Sequence, residues 1–400
     1  MSEGVSMKSV SSNPEIRKWL QHVHALAVDI GPRGSTRSGE RQAAEYAFNQ
    51  FEKLGFQPKL ETFKSARSIF LPHLLGSLII LLAFILFPLG GRSTAGIAAA
   101  LTILVLVSEL QELGFKNNLF RMLMPKAESQ NVYAIIPPSG EHTKDLVVVG
   151  HLDSQRTPLI FKTYRWVKIY DTFTSVVFAT FIVQAVIYTA AAIFGWSWAW
   201  WVTIPTALSA ILLAAMCIQA DLTPFTAGAN DNASAVGMVL TLAEELAKTP
   251  LTHTRVFAVC SGCEEVQHYG MIDFFKRHLS EFRKPKSVVF EMLGCAGPAW
   301  LTQEGIIVPF KADPEMKKVL EDLAEKNPQW GAYASKVSGG NTEMADAVRA
   351  GIPAITLFGS KPNGEVPYWH QKQDTYDKMD AEVMIRTWEL TNAYLKELDK

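Results

Sequence analysis

The sequence predicts an α/β fold: a three-layer α/β/α domain on a mixed, largely parallel central sheet, interrupted by transmembrane helical hairpins. Three observations carry this. Helix-period and strand-period segments alternate through the polar parts of the chain. The strand candidates include short, continuous apolar runs, the pattern of strands buried on both faces. Between the polar parts lie four apolar runs that lack the polar stripe of an ordinary surface helix.

The polar segments are 11–67, 125–156 and 221–400, read as one discontinuous domain. Residues 41–54 have helical spacing, with Ala44, Phe48, Phe51 and Leu54 on one face. Residues 146–149 predict a buried strand, 233–248 a helix, and 255–260 and 286–290 two further strands. Another strand is expected at 353–358 and a closing helix at 381–398. Such alternation places a largely parallel sheet between layers of helices. There is no internal repeat and no low-complexity tract.

The first apolar region spans 69–110. Residues 70–89 are apolar apart from His73 and Ser77, Gly90-Gly91-Arg92 interrupts, and 95–107 follows. The second spans 160–220, with one run at 172–194 holding a lone Gln184, a break at Gly195, and another run at 196–218. A bilayer-spanning helix needs roughly 20 apolar residues. Three runs reach that length; 95–107 is short, and Glu109 and Glu112 are expected outside the hydrocarbon. The competing reading is four buried core helices of a soluble protein. Trp196, Trp198, Trp200 and Trp201 beside Gly195 read as an interfacial aromatic belt.

Lys64, Arg67, Lys116, Arg121, Lys126, Lys162, Arg165 and Lys168 border the outer ends of these regions, whereas the connecting loops carry only Arg92. The positive-inside rule then puts the polar segments on the cytoplasmic side of a multi-pass membrane protein. An even number of crossings returns them all to one side, where they can fold together. The lipid bilayer is thus an expected partner. The hairpins leave three purposes open: anchoring, placing a site near lipid-embedded peptide ends, or forming a homo-oligomer.

Composition narrows the function. The 400 residues carry a formal net charge of −1, so there is no basic excess to bind nucleic acid. Hydrophobic residues make up 48% and charged residues 19%, the deficit of charge lying in the apolar regions. Residues 1–17 are polar and lack the apolar core of a signal peptide. Cys260 and Cys263 form a C-x-x-C, but no second pair completes a structural zinc site. These and Cys217 and Cys295 read as reduced thiols.

The chemistry lies at strand ends. His151 and Asp153 follow the strand at 146–149, and Asp231 precedes the helix at 233–248. Glu264 and Glu265 follow the strand at 255–260, Glu291 follows 286–290, and His370 follows the last strand by a loop. Open α/β sheets place their sites beyond strand carboxyl ends. Imidazole and carboxylate are ready zinc ligands. Two metals about 3.5–4 Å apart can bind substrate and make a hydroxide nucleophile together. Such a site needs one bridging carboxylate and one free carboxylate to take the water's proton. Two adjacent acids at one strand end can divide the work of ligand and base.

These residues resemble the M28 family of zinc peptidases. The likeness is carried by Val149-Gly150-His151-Leu152-Asp153-Ser154, Gly228-Ala229-Asn230-Asp231-Asn232-Ala233-Ser234, Glu264-Glu265, Glu291-Met292-Leu293-Gly294 and His370, in that order. Pro32-Arg33-Gly34-Ser35 and the helix after it are also similar to the family's start. His151 and Asp231 stand 80 positions apart; without the 64 residues of 157–220 the gap is 16, near the family's usual separation.

The resemblance implies an aminopeptidase acting on peptides, with two Zn2+ ions. Asp231 would bridge them, His151 and Glu291 would hold one, and Glu265 and His370 the other. Glu264 would be the general base, and Asp153 would orient His151. The family usually has Asp at the position of Glu291, and a Ser-Asp-His type sequence where this chain has Ser338-Gly339-Gly340-Asn341-Thr342-Glu343. Asn341 or Glu343 there is a candidate pocket residue. Met292, Tyr368 and Trp369 are further candidates for the pocket wall and would favour an apolar side chain. His73, His142, His253, His268 and His278 read as structural or surface residues, His268 as part of an ordinary first helical turn. Three rival readings remain: a carboxypeptidase-like enzyme, a glutaminyl-cyclase-like zinc enzyme, and a catalytically silent membrane scaffold.

Overall fold

The computed structural model describes residues 13–305, 307–337 and 340–400. Most of the polar N-terminal stretch, the first two residues of the 11–67 segment, and Ser338 and Gly339 lie outside the described residues.

Ten strands are described: β1 (Lys59–Ala66), β2 (Lys126–Ile136), β3 (Lys144–His151), β4 (Thr254–Ser261), β5 (Lys286–Glu291), β6 (Ala299–Leu301), β7 (Gln303–Glu304), β8 (Phe310–Lys311), β9 (Tyr333–Ser335) and β10 (Ala354–Phe358). Eight form one mixed sheet in the order β1-β2-β4-β3-β5-β10-β6-β9, while β7 and β8 pair separately. The centre, β4-β3-β5-β10, is parallel throughout. Its strands are the apolar runs, and Val147, Val148, Val149, Val288 and Val289 are all buried.

One helical layer holds α1 (Pro14–His24), α2 (Ser38–Lys53), α7 (Ser234–Lys248), α9 (Pro314–Lys326) and α10 (Ala381–Asp399). The other face carries α8 (Tyr269–His278) and the short helix Met344–Arg349. Asn13 caps α1 by accepting from the Ile16 N–H at 3.2 Å, and Asp380 caps α10 by accepting from Glu382 and Val383. The seven elements expected from the sequence are all present, four of them a residue or two longer.

Among the described residues, four helices are long and apolar enough to cross a membrane: α3 (Phe70–Leu86, carried on by a 3-10 turn to Leu89), α4 (Gly91–Leu113), α5 (Tyr164–Phe194) and α6 (Ile204–Asp221). They do not stand as two separate hairpins. Helix α4 packs on α5 and α3 on α6, so the hairpins interlock in one bundle. Ala83, Ala95, Ala98, Tyr188 and Ala191 cluster at one end; Ile80, Val105, Phe120, Phe181 and Ala210 cluster nearer the sheet domain. Leu82, Ile85, Ile97, Val107, Ile182, Val186, Ile211 and Leu212 face outward, a continuous apolar exterior that water would not tolerate on a soluble domain.

Two expectations change here. The second apolar run, 95–107, is not short, because α4 continues through Glu109 and Glu112 to Leu113. Both acids are buried: Glu109 Oε2 lies 2.6 Å from His73 Nδ1, and Glu112 pairs with Arg121 at 3.5 Å and accepts from Asn118. Pairing offsets the cost of burying their charge. It also removes Arg121 from the set of exposed flanking cations. The run at 196–218 is divided at Thr203, before Pro205, into Ala199–Val202 and α6. The Thr203 hydroxyl meets the Tyr188 hydroxyl at 2.9 Å there.

Candidate active site

The four parallel strands β4-β3-β5-β10 end on the same side, and this brings the separate motifs together. His151 ends β3, Glu264 and Glu265 follow β4, and Glu291 ends β5. Asp231 lies in the turn before α7, and His370 in the loop after β10. Two glycines make the approach possible. A Cβ on Gly150 would sit 2.8 Å from Ala235, so only glycine lets the end of β3 meet the start of α7. Gly228 has φ +61 and would carry a Cβ 2.4 Å from the Asp231 carbonyl oxygen.

Asp231 is the centre. Its Oδ1 lies 3.4 Å from His151 Nε2, and its Oδ2 lies 3.2 Å from His370 Nε2. His370 Nε2 is also 3.2 Å from Glu265 Oε2, and His151 Nε2 is 3.6 Å from Glu291 Oε1. Glu264 Oε2 stands 3.8 Å from His151 Nε2. All six side chains are buried or nearly so.

Surrounding groups hold these six in place. The Asp374 carboxylate accepts from the Asn230 N–H at 2.6 Å and the Asp231 N–H at 3.0 Å. Asn232 donates to Glu291 Oε2 at 3.0 Å, and Gln155 donates to Glu265 Oε2 at 3.0 Å. Arg33 is wholly buried, and its guanidinium donates to the carbonyls of Leu152, Ala227 and Gly228, tying the β3 end to the Asp231 turn. Asp153 accepts from the Glu264 N–H at 3.1 Å, the Glu265 N–H at 3.2 Å and the Ser35 hydroxyl at 2.6 Å. His151 Nδ1 faces the Asp153 carbonyl oxygen at 3.0 Å and its carboxylate at 3.4 Å. A proton on Nδ1 leaves the Nε2 lone pair free for a cation held between it and the acids.

The electrostatics ask for a cation. Burial pushes Glu265 and Glu291 up to about 8, against the opposing pull of His370 and His151 respectively. Burial also opposes ionisation of Asp231, but His151 and His370 outweigh it and hold this carboxyl well below its ordinary range. Burial works against charge on His370 too, yet Glu265 and Asp231 raise it to about 10. Asp231 Oδ2, Glu265 Oε1 and His370 Nδ1 are buried without hydrogen-bond partners. Ligand atoms of His151, Asp231 and Glu265 lie within 4.8 Å of one another. Buried carboxylates and imidazoles with unused lone pairs are the donor set of a zinc site, so the residues fit that metal.

Sequence reasoning missed several participants. His268 is not part of an ordinary first turn: its φ is +57, its Nε2 lies 3.1 Å from Glu264 Oε1, and its Nδ1 lies 2.7 Å from Asp346. Its position three residues after Glu265 was the one available signal. Asp374, four residues after His370, had only that proximity to mark it, and Gln155 and Asn232 only their adjacency to motif residues. His73 also departs from a purely structural place, since it lines the cavity over the site. That cavity holds about 140 Å³ and is walled in part by Met292, Trp369, Asn341 and Phe161. Tyr368 is not on its wall, and Glu343 lies behind it, accepting from the Ser261 hydroxyl.

Comparison with known proteins agrees with this geometry. Residues 215–395 match the model of Peptidase family M28. Aminopeptidase YwaD of Bacillus subtilis (strain 168) is 26% identical over 183 residues, 45% of this chain and 40% of that protein. The chain thus matches about two fifths of the length of that relative. Among solved structures, BSAP, a zinc aminopeptidase from Bacillus subtilis, superposes with a TM-score of 0.57 at 15% identity, covering 96% of this chain and 95% of its own. The glutaminyl cyclase of Fimbriiglobus ruber superposes with a TM-score of 0.55 at 15% identity, covering 95% and 94%. Both share the fold. Residues 215–395, which carry Asp231, Glu264, Glu265, Glu291 and His370, are the part of the chain that is similar to peptidase family M28.

Proposed function

We propose that the chain is a membrane-anchored zinc aminopeptidase that hydrolyses the N-terminal peptide bond of its substrate. One observation carries the reading: the two oxygens of Asp231 face two different imidazoles, at 3.4 and 3.2 Å. A carboxylate so placed suits a bridge between two cations. His151 and Glu291 would hold one zinc, and Glu265 and His370 the other. Glu291 is one methylene longer than the family's usual Asp, and Asn232 secures its far oxygen.

Zinc bound there would polarise the scissile carbonyl and lower the pKa of water. Glu264 belongs to none of those pairs and has reach to act as general base. It takes the proton of the attacking water and passes it to the leaving amine. His268, held by Asp346, fixes the other oxygen of Glu264. Asp153 aligns the Glu264–Glu265 backbone and His151. The apolar helices would anchor this site at a bilayer, with the sheet domain on the cytoplasmic side.

The test is to purify the full chain in detergent, count its metal and assay aminoacyl amides beside Glu264→Gln. Two zinc ions, with hydrolysis falling at least 100-fold in the variant while metal is retained, supports the reading. A second reading, acyl transfer within an N-terminal glutamine, is kept because the fold is shared with a glutaminyl cyclase. One zinc with cyclisation and no amide cleavage would favour it. A folded sample with neither metal nor turnover would reject both.

A further inference from the structure

A second cavity of about 90 Å³ lies between the four apolar helices. Phe178, Phe181, Leu213 and Met216 are among its walls. It is continuous with the catalytic cavity, because Ile69, Phe70, His73, Leu113 and Tyr170 line both. The joined space runs from Glu264 and His370 into the bundle.

The bundle part is mostly apolar, but it contains Glu109. Glu109 Oε2 meets His73, whereas its Oε1 is buried and has no hydrogen-bond partner. That oxygen lies in the seam between α3 and α4 at Gly76 and not on the cavity, so the bundle part offers a ligand a mostly apolar wall. An ionisable residue inside an apolar helix bundle commonly marks a substrate path. An apolar peptide held at the catalytic cavity would extend directly into this space.

We infer that the substrate is an apolar peptide whose residues beside the scissile bond run from the catalytic cavity in among the helices. The inference rests on the peptidase reading above. It gives the bundle a part in specificity as well as in anchoring.

The experiment uses the full-length, zinc-loaded protein in detergent. Leucine amide is the short probe. It is compared with Leu-Leu-Leu amide, Leu-Ser-Ser amide and leucine decylamide. Thr174→Trp and Met216→Trp each place bulk in the second cavity, away from the six site residues. In the wild type kcat/KM should rise at least tenfold from leucine amide to Leu-Leu-Leu amide, and not for the serine peptide. In both variants the ratio of long to short probe should fall toward one. A wild-type ratio near one overturns the inference while leaving the peptidase reading intact, because leucine amide is still cleaved. A decylamide as good as the tripeptide overturns the peptide assignment in favour of a lipid-like tail. If nothing is cleaved, equilibrium binding of a fluorescent Leu-Leu-Leu amide decides. Affinity lowered tenfold in both variants supports the cavity, and equal affinity refutes it.

Discussion

Replacing Asp153 by Asn leaves the shape of the side chain but removes one of two acceptor oxygens. In the wild type Oδ1 accepts from the Glu264 N–H at 3.1 Å, while Oδ2 accepts from the Glu265 N–H at 3.2 Å and the Ser35 hydroxyl at 2.6 Å. The Ser35 hydroxyl can rotate to accept from an amide, but a backbone N–H cannot. Whichever way the Asn amide faces, one of the two adjacent backbone donors is left unpaired in a fully buried place. That costs about 1–3 kcal/mol. The strain falls on the peptide that orients Glu264 and Glu265, so it should be felt as weaker metal binding. Groups that support metal ligands are worth about 10–100-fold in affinity, or about 1.4–2.8 kcal/mol at 1.4 kcal/mol per tenfold, which agrees with the hydrogen-bond figure. The assay is competition for zinc with a chromophoric chelator, alongside the thermal midpoint of the detergent-solubilised protein. Zinc affinity within threefold of wild type, with an unchanged midpoint, would refute the alignment role given to Asp153.

Stripping zinc with a chelator should abolish amide hydrolysis and lower the thermal midpoint, and added zinc should restore both, since a ligand bound only to the folded state stabilises it by mass action. A midpoint indifferent to zinc would count against a metal in this site. Away from the site, burial opposes ionisation of Asp145, but Arg255, the Arg283 N–H and His142 outweigh it and hold its carboxyl below the ordinary 3.8. The stability it contributes is therefore complete above pH 3.8 and lost as pH falls through the lower folded value. Asp145→Asn should be less stable than wild type at pH 6 and should converge on it in acid; parallel thermal midpoints down to the lowest pH would contradict this. A cysteine placed beside Lys126 should stay unlabelled by an impermeant thiol reagent in intact cells. Labelling there would reverse the cytoplasmic assignment of the sheet domain.

Much of this protein was legible along the chain because local rules suffice for it. Apolar runs such as 146–149 read as strands in any context, and so do helices whose apolar faces repeat at 3.6 residues. Parallel strands put their carboxyl ends together, so His151, Asp231, Glu264, Glu265, Glu291 and His370 could be named as a set before any distance was known. The length and apolarity of α3 and α5 marked them as candidate spans by composition alone.

Three features needed the folded chain. His268 and Asp374 act through contacts with Glu264 and Asp231 that span up to 143 positions or depend on a left-handed backbone, and no spacing rule encodes either. Glu109 and Glu112 looked like the end of a membrane run because their partners, His73 and Arg121, lie on other segments; pairing let the helix continue through them. The interlocking of α4 with α5 and of α3 with α6, and the cavity this leaves beside the site, follow from how four apolar surfaces pack. Periodicity states which face of a helix is apolar. Which apolar face it meets is decided by shape complementarity across the whole chain, and that exists only in the tertiary structure.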